Sequence, residues 1–324
     1  MEKKIYSGWF VYILAVISIF VVDDTVLYAK DKIVIGQAIS LSGPFAPAVP
    51  IAGGNIYTMW VEEVNKNGGI YVKEFGKKLP VELKRYDDKS DTGTMTTLFE
   101  KLILEDKVDF VFPPWGTARL FAAAPIANKY KYILIGGPGG ALKLRELDLP
   151  YFFQVLNCAD TQVPVLADIF EEMGVKSIAM LYRGDLHGIE YTEHLVPIFE
   201  EKDIKIKINK SFPSDIKDLS PLLKEAKAAD VDALCVAAYP AEGMLLTTQA
   251  IELGINFNVF YITVTPFSPS LFRDTFGAKT VEAVMGGGAW NSKTSPGAKE
   301  FIDKYQQHFN SEPDYWGGLY YWSS

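Results

Sequence analysis

Short apolar runs alternate with helix-period segments along nearly the whole chain, and few folds accept that order. Residues 33–39 read as a strand and 53–67 as a helix stopped by Gly68-Gly69. Strand patterns follow at 81–86, 108–112 and 132–135, with helix patterns at 92–105 and 119–129 between them. The strands are apolar on both faces, which suits a parallel sheet covered by helices on each side. After an extended stretch, YFFQVLNCAD at 151–160, the alternation restarts. Helices are expected at 163–173, 191–202, 219–228 and 242–253. Strands are expected at 177–182, 204–209, 233–238, 259–263 and 281–285. Two successive halves of similar size predict an α/β fold of two doubly wound, Rossmann-like lobes. The lobes are expected at 30–152 and 153–290, with 291–324 returning to the first. A last helix at 296–309 leads to the aromatic end EPDYWGGLYYWSS, which lacks a capping element and reads as a domain cut short.

The chain opens with Lys3-Lys4, an apolar run over 9–22, and Leu27-Tyr28-Ala29 as a cleavage site. The run is short for a span of ~20 residues, so 1–29 reads as a cleaved secretory signal and the protein as extracytoplasmic. No cysteine follows the run, so no lipid anchor is expected there. The charge of −8 without a Lys/Arg cluster excludes nucleic acid as a partner. The two cysteines, Cys158 and Cys235, lie after and inside apolar strands; they are either buried thiols or a disulfide.

In open α/β sheets, ligands bind beyond the carboxyl ends of strands, where helix N-termini offer free N–H groups. The loops that qualify are 40–45, 113–117, 136–141, 182–187, 239–242 and 263–267. They supply the candidate ligand-binding residues Ser42, Phe45, Trp115, Gly116, Thr117, Pro138, Gly139, Gly140, Tyr182, His187, Tyr239, Glu242 and Thr265, to which Trp290 is added. Trp115 and His187, placed at loop tips, are expected to serve binding rather than fold stability. No catalytic residues are expected. There is no G-x-S-x-G elbow and no H-E-x-x-H, and His187 and His194 are too far apart in sequence to share a metal on one helical face. Asp87-Asp88 has no cage of oxygen ligands, so no metal is expected. The glycines of GGPGGA are not followed by a proper helix, so no dinucleotide cofactor is expected either.

Several passages carry a family resemblance by their order and spacing. They are SGP at 42–44, NKNGGI at 65–70, RYDDKSD at 85–91, DIKDLSPLLKEAKAADVDAL at 215–234, AEGMLLTTQAIELGI at 241–255 and EPDYWGGLYY at 312–321. Over residues 32–324 the chain resembles the Leu/Ile/Val-binding family of extracytoplasmic solute-binding proteins, which have the type 1 periplasmic-binding fold. The resemblance implies two lobes joined by crossover strands, a small-molecule ligand in the cleft, and hinge closure. It also implies delivery to the permease of an ABC importer by a monomer without cofactors.

Departures from the family pattern bear on the ligand. The serine run that holds a ligand carboxylate is PWGTAR here, where only Thr117 keeps a hydroxyl. Gly140 stands in place of a threonine and His187 in place of a tyrosine. The acid that meets a ligand ammonium falls near Val264, where no carboxylate occurs. A buried ammonium needs a counter-charge. Unless Glu242 or Asp185 reaches in, an apolar or aromatic acid or amide is expected over leucine, isoleucine or valine. A ligand sensor of the same fold, of the amide or urea type, and a true branched-chain amino acid carrier are the alternatives.

Overall fold

A computed structural model describes residues 30–324 except 48, 50–52, 269–270, 289, 291–292 and 294. The expected signal at 1–29 lies outside the described residues. In chain order the first half contains β1 (Ile33–Ile39), α1 (Asn55–Lys66), β2 (Ile70–Val72), β3 (Lys77–Leu79), β4 (Val81–Asp87), α2 (Thr92–Leu104) and β5 (Phe110–Val111). Then come α3 (Thr117–Lys129), β6 (Leu134–Gly136), α4 (Lys143–Glu146) and β7 (Phe152–Gln154). The second half has α5 (Ala159–Glu172), β8 (Ser177–Arg183), α6 (Leu186–Glu201), β9 (Lys205–Phe212), α7 (Ser220–Ala228) and β10 (Ala233–Ala237). It continues with α8 (Pro240–Glu252), β11 (Val259–Ile262), α9 (Arg273–Phe276) and β12 (Val284–Met285). Two helices, α10 (Ala298–Phe309) and α11 (Gly317–Trp322), end the chain.

The second half forms one parallel sheet in the order β12-β11-β10-β8-β9. Its central strands β8 and β10 bury both faces by strict alternation. Ile178, Met180, Ala233 and Cys235 enter one core with α5 and α6. Ala179, Leu181, Leu234 and Val236 enter the other with α7 and α8. In the first half β4-β1-β5 is parallel, and β6 pairs in parallel with β7. The strand order reverses beside β1 in the first sheet and beside β8 in the second, which gives each half a switch point.

The returning helices α10 and α11 pack on α1, and Phe301, Tyr305 and Tyr320 complete the first half's core. Tyr305 accepts a hydrogen bond from Asn55 Nδ2 at 3.1 Å, fixing α10 to the start of α1.

Two features differ from the sequence reading. A hairpin, β2-β3, follows the Gly68-Gly69 stop, where the sequence reading has no strand before residue 81. Helix α6 starts at Leu186, five residues before the expected start, because the Asp185 carboxylate caps it by accepting the Gly188 N–H at 3.2 Å. Of the two alternatives for the cysteines, the structure has the buried thiols: Cys158 and Cys235 are both free. Cys158 donates to the Ala141 carbonyl at 3.4 Å, while Cys235 sits inside β10, where burial pushes its thiol pKa up.

Candidate functional site

A cavity of about 50 Å3 lies where loops from both halves meet. From the first half it is lined by Trp115, Thr117, Pro138 and Gly140, with Leu156 from the connection between the halves and Gln162 from α5. The second half adds His187, Tyr239, Thr263 and Val264, and the returning segment adds Asp314, Trp316 and Tyr320.

The first wall is built by the turn into α3. Gly116 has φ +106°, a conformation that side chains strain, so the chain can swing from Trp115 directly into the helix. Its N–H donates to the Pro138 carbonyl at 3.1 Å, which ties the loop after β5 to the loop after β6. The Gly140 N–H then donates to Thr117 Oγ1 at 3.2 Å. The N-terminus of α3, with its partial positive charge, therefore opens beside a ring of small residues.

The second wall is aromatic. Tyr239, at the start of α8, stacks against His187 at 5.2 Å between ring centroids. It also meets Trp115 at 5.3 Å and Phe45 at 5.4 Å. Its hydroxyl accepts the Thr117 N–H at 3.2 Å, a hydrogen bond that joins the two halves. A second link runs from α6 to the start of α4, where buried Glu190 accepts the N–H groups of Leu142 and Lys143.

Burial, opposed by Asp185 and reinforced by Arg183, lowers the His187 pKa from 6.5, so the imidazole is neutral near pH 7. Its Nε2 lies 3.4 Å from Thr263 Oγ1.

Arginines flank this site without lining it. Arg119 lies 3.5 Å from Asp88 and donates to Ser40 at 2.6 Å. Arg183 pairs with Glu242 and lies 2.9 Å from Asp185. Both guanidiniums face the Phe45 ring, at 4.6 and 5.3 Å from its centroid, so Phe45 is clasped between one cation from each half.

Of the residues singled out from sequence, the cavity gathers Trp115, Thr117, Pro138, Gly140, His187 and Tyr239. Phe45 and Gly116 stand directly behind them. The others are placed elsewhere. Ser42 is exposed and its hydroxyl donates to Asp87 at 2.7 Å. Gly139 is packed against Leu144 and Leu120, and its carbonyl accepts from Gln154. Tyr182 packs on the α5–α6 core. Glu242 is spent on Arg183, and burial raises its pKa. Thr265 is fully buried against Gly243. Trp290 packs on Phe301 at 5.3 Å and lines a separate cavity beside α10.

The sequence reading missed Leu156, Gln162, Thr263, Asp314, Trp316 and Tyr320 as lining residues. Asp314 matters most, because it brings a carboxylate to the cavity that Val264 also lines, where no acid was expected. It is only 5% exposed, and burial pushes its pKa up to about 7. The one local signal was the Glu-Pro-Asp turn before the final aromatic run.

A family model described as periplasmic binding protein matches residues 32–324. The chain is 22% identical over 298 residues to Leu/Ile/Val-binding protein homolog 7 of Brucella suis biovar 1 (strain 1330), covering 88% of this chain and 73% of the relative. Among solved structures it is similar to the branched-chain amino acid transporter substrate-binding protein LivJ from Streptococcus pneumoniae, in complex with isoleucine. That match has a TM-score of 0.78 at 22% identity, over 90% of this chain and 81% of the other. A solute-binding protein of an ABC transporter from Rhodopseudomonas palustris BisB5, in complex with 3,4-dihydroxybenzoic acid, is similar with a TM-score of 0.75. Its identity is 21%, over 90% of this chain and 78% of the other.

Proposed function

The chain belongs to the periplasmic binding protein family, and we propose that it delivers a small organic solute to the permease of an ABC importer. The family binds solutes and does not catalyse, so the site is read for recognition alone. The lobes of this reading are 30–152 and 153–290, with 291–324 returning to the first, and the protein acts outside the cytoplasm as a monomer. Hinge closure brings the lobes together over the solute, which stabilises the closed state by bridging both.

One observation carries the reading. The cavity is walled by the loops at both switch points, with the N-terminus of α3 on one side and the rings of Trp115, Tyr239, Trp316 and Tyr320 around it. A carboxylate or amide head suits the Thr117 and Gly140 end, and an apolar or aromatic body suits the rings. The solute is thus an apolar or aromatic acid or amide.

A thermal-shift panel of aliphatic and aromatic acids, amides and amino acids tests this, because a ligand that binds only the native state raises Tm. At least one acid or amide with an apolar body should raise Tm in proportion to the logarithm of its concentration. Sugars and polyamines are run beside the panel, and a result in which only they shift Tm would refute the reading.

A further inference from the structure

On the reading of the cleft as a solute site, on which this depends, we infer that His187 is a specificity determinant held as a pure hydrogen-bond acceptor. Its Nδ1 selects a solute that carries a neutral O–H or N–H donor in addition to the head placed at the α3 end.

The hydroxyl of Thr263 fixes the tautomer. A hydroxyl has one proton to donate and two lone pairs that accept. The Thr263 proton goes to the Ala238 carbonyl at 3.1 Å, and one lone pair takes the Ala238 N–H at 3.2 Å. Ala238 is fully buried, and its carbonyl accepts from no other group among the described residues. Turning the hydroxyl proton towards His187 would leave that carbonyl unpaired, which costs more than the long contact to the ring returns. The lone pair that is left on Thr263 meets His187 Nε2 at 3.4 Å, so the proton of that contact sits on Nε2.

A neutral imidazole has one N–H and one bare nitrogen. At an ordinary pKa of 6.5 the ring is already mostly neutral at pH 7, and burial lowers that value. With Nε2 protonated, Nδ1 is the bare nitrogen. Nothing among the described residues donates to it. Asp185, the acid whose charge acts on the ring, accepts the Gly188 N–H at 3.2 Å and lies 2.9 Å from Arg183. Of the two tyrosines packed on the ring, Tyr191 bonds Tyr261 and Tyr239 bonds Thr117. His187 is part of the cavity wall, so its open acceptor is offered to the solute. A carboxylate oxygen set against Nδ1 brings a lone pair to a lone pair. A hydroxyl or an amide N–H brings a proton. A simple alkyl or aryl acid leaves Nδ1 unpaired, whereas a hydroxylated acid or an N–H-bearing amide satisfies it.

Two measurements test this. Nitrogen–proton correlation NMR on histidine-labelled protein reads the tautomer, with His187 told from the other two of the three histidines by its absence in His187→Phe. The expected pattern at neutral pH is a protonated Nε2 and a bare Nδ1, and a proton on Nδ1 overturns the inference. Calorimetry on the wild-type protein then compares matched sets. One set is 4-methylpentanoate with its 2-hydroxy and 2-methoxy derivatives. The other is 3-phenylpropanoate with its 4-hydroxyphenyl and 4-methoxyphenyl counterparts. In at least one set the hydroxy compound should bind roughly two- to tenfold more tightly than both the parent and the methyl ether. His187→Phe, which keeps a ring to pack on Tyr239, should erase that gain while the melting transition persists. His187→Leu serves the same comparison if the phenylalanine variant fails to fold. No gain for the hydroxy compound in either set, or an undiminished gain in the variant, overturns the inference and leaves the solute-binding reading standing. If no member of the wider panel of acids and amides binds, the reading of the cleft falls, and the inference with it.

Discussion

Tyr239→Phe isolates the hydrogen bond that joins the two halves. The substitution keeps the ring, which is held by His187, Trp115 and Phe45 at centroid distances of 5.2, 5.3 and 5.4 Å. It deletes only the hydroxyl that accepts the Thr117 N–H at 3.2 Å. Both residues are almost completely buried, with Thr117 at 2% and Tyr239 at 5% exposure, so no solvent stands ready to replace the lost acceptor. A buried donor left without a partner costs about 1–3 kcal/mol. Water can reach the amide only if the halves part, so the cost falls on the joined arrangement and favours opening. The same energy corresponds to roughly 5- to 150-fold faster opening-limited exchange of that amide. Hydrogen–deuterium exchange followed on a peptide spanning 113–120 reads this directly. Tyr261→Phe is the control, because its hydroxyl bonds Tyr191 at 2.8 Å inside the second half and has no part in the junction. Unchanged protection of 113–120 in Tyr239→Phe would refute the claim that this hydrogen bond holds the halves together.

Trp115→Ala should lower both affinity and Tm, since the ring is only 9% exposed and packs on Phe45 and Tyr239. A loss of about 3–5 kcal/mol is expected from denaturant unfolding, and an unchanged midpoint would show that the ring carries no packing. His187 should make stability fall as pH drops. Its folded pKa is depressed below 6.5, so the unfolded chain binds the proton first and the native state loses ground below that pH. Melting curves of His187→Gln should show a shallower acid decline than wild type. Asp314 has the opposite sign. Its folded pKa is raised from 3.8 to about 7, so stability is lost as pH rises through that window, and Asp314→Asn should gain Tm relative to wild type between pH 5 and 8. Gly243→Ala should destabilise by at least about 1–3 kcal/mol in chemical denaturation, because its Cβ would run into Thr265 inside the core.

The sequence by itself determined the alternation of strands and helices, and with it the parallel sheets and the loops that face the cleft. Apolar residues on both faces of 33–39 and 233–238 dictate buried parallel strands, and the structure has β1 at Ile33–Ile39 and β10 at Ala233–Ala237. Because each strand's carboxyl end is marked locally by Gly, Pro or small residues, Trp115, Thr117, Pro138, Gly140, His187 and Tyr239 could be picked out from sequence. Within those same loops the local pattern does not say which way a side chain turns. Glu242 is taken by Arg183, while Thr265 is taken by the core beside Gly243. Tertiary structure alone decided that α10 and α11 return to α1 and carry Asp314, Trp316 and Tyr320 into the cavity. No short-range rule could bring the carboxylate at position 314 to the cavity that Val264 lines. Its placement depends on long-range packing of Phe301, Tyr305 and Tyr320 into the first core, and the charge character of the cleft is set by that packing.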